Sequence, residues 1–232
     1  MQKVLLLTPP FTQLNTPYPA TMYLKGYLDE KGWECEQRDL SIELFIQVFS
    51  TQFLDNIFSQ VENNSDIFYG DILSSKNEYL ESVEIVISFL QVQTTARAYQ
   101  ILSESLLPKH HRFEKIEDLD FSFGDMGLLD KAKHFATLYI EELGDFISAN
   151  LDEDFGFTKY AEKIARTATS FKPIEEKLNG SPSLIVEELI KIVEQIIKET
   201  RPTIIGFTVP FPGNLYSTLR ASKYIKENHP NI

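Results

Sequence analysis

Lys3-Val4-Leu5-Leu6-Leu7-Thr8-Pro9-Pro10 is the stretch that decides the fold. Six residues rich in β-branched and leucine side chains, with no polar alternation, make the pattern of a strand buried on both faces. Pro9, Pro10, Pro17 and Pro19 then enforce a stiff non-helical loop, because each fixes φ and removes an amide donor. From Ala20 to Lys31 the apolar positions Ala20, Leu24, Tyr27 and Leu28 fall at helical spacing, and Gly32 suits the C′ position. Trp33–Leu40 reads as a second strand. Strand, helix and strand in so short a span predict a parallel pair joined by a right-handed crossover.

The same grammar returns near the other end. Ser181-Pro182 offers an N-cap and an N1 proline for a helix over Leu184–Thr200, with Leu184, Leu189, Ile192, Val193, Ile196 and Ile197 on its apolar face. Pro202 breaks that helix. Thr203–Val209 is a third buried strand, closed by Pro210 and Pro212, and Asn214 can cap a last helix, Leu215–Glu227. Its inward face is predicted as Leu215, Leu219, Ser222 and Ile225. The sequence stops where a fourth strand is expected, so the chain reads as the amino-terminal part of a larger protein.

Between these pieces lies a long glycine-poor stretch. It predicts helices near 43–62, 76–106, 128–150 and 157–178, with 115–127 as the best loop and 84–90 helical despite its strand-like composition. The expected organisation is an α/β half-domain from 1–44 and 181–232, a parallel Rossmann-type sheet, interrupted by a helical insertion over 45–180.

Composition narrows the function. Apolar residues are 43% and charged residues 24% of the 232, an ordinary globular balance. No apolar run is long enough to span a membrane or serve as a secretory signal. The lone Cys35 excludes an internal disulfide and fits a cytoplasmic location. A net charge of -12 without any basic cluster argues against nucleic acid.

Chemistry-bearing motifs are scarce. The loop Thr8–Asn15 has no glycine, which removes the dinucleotide fingerprint and the P-loop. No zinc spacing, Glu-x-x-His pair or Gly-x-Ser-x-Gly elbow occurs. Asp118-Leu119-Asp120 opens like a calcium loop but then lacks the glycine and the bidentate glutamate. Cys35 is expected as a small buried hydrophobe, and the acidic pairs Glu141-Glu142, Asp152/Asp154 and Glu175-Glu176 as solvated faces.

What remains is position. Ligands of open parallel sheets bind outside the carboxyl ends of the strands, where strand order reverses. Those ends are Thr8–Asn15, Asp39–Glu43 and Thr208–Gly213. The first and third are proline-rich and uncharged, a rim suited to a large, flat, mostly apolar ligand. They read equally well as short rigid turns.

The helix Tyr23-Leu24-Lys25-Gly26-Tyr27-Leu28-Asp29-Glu30-Lys31-Gly32, the strand end Arg38-Asp39-Leu40-Ser41-Ile42-Glu43 and Thr203-Ile204-Ile205-Gly206-Phe207-Thr208 carry a resemblance. With the helix through Ala221–Lys226, residues 1–44 and 184–232 resemble the N-terminal cobalamin (B12)-binding domain of radical S-adenosylmethionine (SAM) enzymes. The resemblance implies a flavodoxin-like fold with a corrinoid on the strand ends, contacted by Thr8, Pro9, Pro10, Phe11, Asp39, Ser41, Thr208, Val209 and Pro210. It also implies a C-terminal radical SAM domain of the same polypeptide, holding a [4Fe–4S] cluster and S-adenosylmethionine, with cobalt taking part in methyl transfer or a related radical reaction. This chain carries neither the Cys-x-x-x-Cys-x-x-Cys of that cluster nor, in Thr8–Asn15, a histidine for cobalt. It is therefore not expected to be catalytic alone. The rival expectation is a docking module that has lost cobalamin.

Overall fold

The computed structural model describes residues 2–12, 14, 16–114, 127–157 and 170–232. The chain divides into two compact units, Met1–Gln47 with Asp154–Ile232, and Val48–Glu153.

The first unit is α/β. Strands β1 (Lys3–Thr8), β2 (Glu34–Asp39) and β3 (Ile204–Phe207) form an open, fully parallel sheet in the order β2-β1-β3. Val4 faces Cys35 on one side and Ile204 on the other, so the two ends of the sequence meet on the central strand. The pairing is extended by Thr203 N donating to Lys3 O at 2.8 Å and Thr208 N to Leu7 O at 3.0 Å.

Helix α1 (Ala20–Glu30) connects β1 to β2 and ends as its sequence predicts. Gly32 takes φ +77°, Gly32 N bonds Asp29 O and Trp33 N bonds Leu28 O. Of the apolar positions at helical spacing, Leu24 and Tyr27 are exposed and Leu28 is half-buried, while Thr21 is the buried residue. Thr21 of the polar stripe Thr21, Lys25 and Asp29 is turned inward, so apolar spacing did not fix the phase of this helix. Only Leu28 joins the small cluster of Val4, Leu6 and Cys35 on that face of the sheet.

Helices α8 (Lys172–Asn179), α9 (Leu184–Thr200) and α10 (Leu215–Asn228) complete the unit. The crossover from β2 over β1 to β3 runs opposite to the first one. With the same hand, it carries α9 to the sheet face away from α1, and α10, which follows β3, packs against α9. On β1 itself Leu5 and Leu7 are fully buried. Two details differ from expectation. The N-cap of α9 is Ser183 rather than Ser181, because its oxygen accepts from Val186 N at 3.3 Å. β3 is half-buried instead of fully buried, with Ile204 40% exposed, since among the described residues no strand lies along its outer edge.

Helix α2 (Leu40–Val48) leads to the second unit, whose described elements are all helical: α3 (Thr51–Glu62), α4 (Gly70–Ser74), α5 (Lys76–Gln91), α6 (Thr95–Leu102) and α7 (Leu128–Asn150). The helix predicted over 43–62 is interrupted where Ser50 caps α3 through Phe53 N. The one over 76–106 is interrupted where Thr94 caps α6 through Arg97 N. Both breaks follow from a hydroxyl competing for backbone amides. Residues 84–90 are helical, within α5. The loop expected at 115–127, the Asp118–Asp120 segment and most of the helix expected over 157–178 lie outside the described residues. No helix among those described is long and apolar enough to cross a membrane.

Candidate functional site

The carboxyl ends of β1 and β3 are joined by a set of side-chain to backbone bonds. Pro9 and Pro10 offer carbonyls but no amides, so these two residues can be held only through their acceptors. Pro9 O accepts from Ser41 Oγ at 3.1 Å and from Asn214 Nδ2 at 3.1 Å. Pro10 O accepts from Ser217 Oγ at 2.6 Å. Thr12 N donates to Ser41 Oγ at 3.0 Å, and the Thr12 and Ser41 hydroxyls lie 2.9 Å apart. One short loop is thereby tied to the start of α2 and to the first turn of α10.

The nine residues singled out from sequence divide by environment. Thr8, Pro9, Pro10, Phe11 and Ser41 are buried. Phe11 stands edge-on to Phe155 and Phe157, with ring centroids 5.8 and 6.4 Å away. Asp39 is half-buried and turns its Oδ1 onto Ser41 N and Ile42 N at 2.9 and 3.2 Å, capping α2. Burial raises its carboxyl above the usual range, and those two amides pull the other way. Thr208 and Pro210 are half-buried, and Val209 is 42% exposed.

Beside them Phe211, 53% exposed, meets the Tyr18 ring at 6.1 Å, so an aromatic pair bridges the first and third loops. The open rim is therefore Tyr18, Thr208, Val209, Pro210 and Phe211, uncharged throughout. Three residues on from Phe211, Asn214 is fully buried. Its Nδ2 is used, but its Oδ1 is a buried acceptor without a hydrogen-bond partner. A buried unpaired acceptor is costly, and a donor reaching it would be favoured.

Sequence reasoning brought the three loops to one place correctly, but it missed the residues that tie them. Asn214 was expected to cap the last helix; its side chain makes no cap bond and reaches Pro9 instead. Thr12, Ser217, Tyr18, Phe155 and Phe157 carry no motif. The one available signal is that a proline pair must find donors elsewhere in the chain.

Other candidates resolve more simply. Cys35 is buried in β2, and burial pushes its thiol up. Glu142, expected on a solvated face, is fully buried and accepts from Tyr79 OH at 2.7 Å and Arg112 N at 3.1 Å. Asp152 is also buried. Among the described residues no three His, Cys, Asp or Glu side chains are grouped to hold a metal ion. No family model, curated protein or solved structure matches this chain.

Proposed function

We propose that the α/β unit is a flavodoxin-like, cobalamin-binding-type domain of a radical SAM enzyme, with a corrinoid seated at the carboxyl ends of β1 and β3. The order β2-β1-β3 is how the flavodoxin-like order 2-1-3-4-5 begins, and its reversal point falls between β1 and β3. The observation that carries the reading is the rim there. Tyr18, Val209 and Phe211 offer apolar area without charge, and Asn214, three residues on from Phe211, carries an unpartnered Oδ1. A corrin is a flat apolar ring edged by carboxamides, and its amide N–H groups match a buried acceptor close in sequence to an apolar rim.

In this reading Val209 and Phe211 cover the ring and exclude water, Thr208 offers a hydroxyl, and Asn214 accepts a carboxamide proton. The stitched Pro9–Pro10 loop keeps the floor rigid, so little order has to be gained on binding. The bound corrinoid supplies cobalt–carbon chemistry for methyl transfer or a related radical step. The [4Fe–4S] cluster and S-adenosylmethionine belong to a separate radical SAM domain.

Titration with hydroxocobalamin, followed in the visible spectrum, tests the proposal. Saturable binding that F211D weakens supports it. Absence of any saturable change overturns it in favour of the second reading, a docking module without cofactor. That reading draws on one observation: the Pro9 and Pro10 carbonyls and the Ser41 hydroxyl already have protein partners, leaving them little to offer a ligand.

A further inference from the structure

The net charge of the chain is confined to one of its units. Val48–Glu153 holds 19 of the 34 Asp and Glu residues and 7 of the 22 Lys and Arg, while the α/β unit holds 15 of each. The whole formal charge of -12 therefore lies in the helical unit.

Within that unit the connection from α3 to α4 displays apolar side chains to solvent. Ile67 is 40% and Phe68 60% exposed. Their backbone is nonetheless tied down. Phe68 N donates to Asn150 Oδ1 at 2.9 Å, and Phe68 O accepts from Asn150 Nδ2 at 3.0 Å, so one side-chain amide clamps both backbone groups at the end of α7. Asn64 Nδ2 bonds Asn150 O at 3.3 Å. Tyr69 is held at φ +57°, in the left-handed region, with its ring stacked on His111 at 4.6 Å.

Ordering a backbone and holding a tyrosine at positive φ both cost free energy, and here the apolar side chains they position are not buried in return. A fixed backbone with an exposed aromatic ring is the form of a pre-organised contact residue, since little freedom is left to lose on association. Its surroundings are acidic. No Lys or Arg occurs between Glu62 and Lys76, and among the described residues no cation pairs with exposed Asp66 or with exposed Glu153, three residues beyond Asn150.

We propose that Ile67 and Phe68 are the apolar anchor of a docking surface on the helical unit, and that its partner is a cationic amphipathic protein segment, an apolar stripe flanked by lysine or arginine. Charge selects this occupant. Nucleic acid and anionic lipid are repelled by a unit of net charge -12, and a second copy brings the same charge to the same patch. A basic segment is attracted, and its apolar stripe covers Ile67 and Phe68 while its cations meet Asp66 and Glu153. The proposal is independent of the corrinoid reading, which concerns other residues.

Fluorescence anisotropy of a labelled amphipathic lysine–leucine peptide with the whole chain tests this. A lysine–serine peptide of equal charge is the first control. Y99S is the second, because Tyr99 is an equally bare ring, 65% exposed, elsewhere on the same acidic unit. The wild-type protein should bind the leucine peptide saturably, F68S should weaken that binding about tenfold, and Y99S should leave it unchanged. The serine peptide should bind wild type and F68S alike. No saturable binding, equal affinity of F68S and wild type for the leucine peptide, or an equal loss in Y99S overturns the proposal. So does self-association in sedimentation that F68S abolishes, which assigns the patch to a second copy, or binding to phosphatidylcholine vesicles that F68S abolishes, which assigns it to lipid.

Discussion

The side-chain amide of Asn214 donates to the carbonyl of Pro9 at 3.1 Å, joining residues 205 positions apart at the carboxyl edge of the sheet. Ser41 donates to the same carbonyl from the other side. The first loop is thus shared between the two halves of the α/β unit.

Removing the amide should therefore cost stability out of proportion to the small volume lost. We expect N214A to destabilise the protein by about 1–3 kcal/mol, read from the denaturant midpoint, and S41A to act in the same direction. The two substitutions meet at one acceptor, so their costs should not add. Strict additivity in the double variant would contradict the shared-carbonyl account.

Arg220 is buried, and among the described residues no carboxylate pairs with it. Its guanidinium bonds the carbonyls of Lys177, Leu178 and Gly180 at 2.6–3.1 Å and the Tyr216 hydroxyl at 2.9 Å, closing the C-terminal end of α8. R220M keeps the apolar stem and removes the guanidinium donors from the Lys177 and Gly180 carbonyls, while Leu178 O keeps Lys223 Nζ at 3.1 Å. Thermal unfolding should report a loss of about 2–3 kcal/mol, and R220K should recover only part of it, lacking the planar fork.

Glu194 ties α9 to the end of α10. It lies 2.6 Å from His229 Nε2, accepts from Tyr224 OH at 3.0 Å and pairs with Lys198 at 3.0 Å. His229 and then Lys198 hold its carboxyl down to about 2. An unfolded glutamate titrates near 4.3, so this contribution is complete above that pH and disappears as pH falls toward 2. Melting temperatures of wild type and E194Q should differ most near pH 5 and converge on acidification. A gap that persists at about pH 2 would contradict this.

Gly206 lies beside Leu6, whose Cδ2 would be 3.1 Å from an added Cβ. Leu6 is buried, but Cδ2 is the far end of its side chain, so a small turn supplies the few tenths of an ångström needed. We expect G206A to be neutral or stabilising by up to about 0.5 kcal/mol, because alanine loses less backbone entropy on folding. A loss above about 1 kcal/mol would show that Leu6 is fixed.

How much of this was legible follows from individual residues. The run Val4–Leu7 and the Gly32 stop specified a parallel unit, because strand burial and positive φ are local demands. A third strand was legible in the hydrophobic run near Thr203–Val209, but its place beside β1 was not, because a buried run does not name its neighbour. The phase of α1 was not legible, since Met22, Tyr23, Leu24 and Tyr27 are exposed while Thr21, beside Lys25 and Asp29 on the polar stripe, is buried. Nor were the ties from Asn214 and Ser217, because a carbonyl held by a distant side chain leaves no periodic trace. The burial of Glu142 was hidden for the same reason: its partners, Tyr79 and Arg112, lie 63 and 30 residues away.

Hydrogen exchange with and without hydroxocobalamin tests the central claim most directly, because it reads both binding and place. The account predicts added protection in residues 208–217 around the β3 rim and in the 9–12 loop, with no change across 48–153. Protection confined to the helical unit, or none at saturating corrinoid, would contradict it.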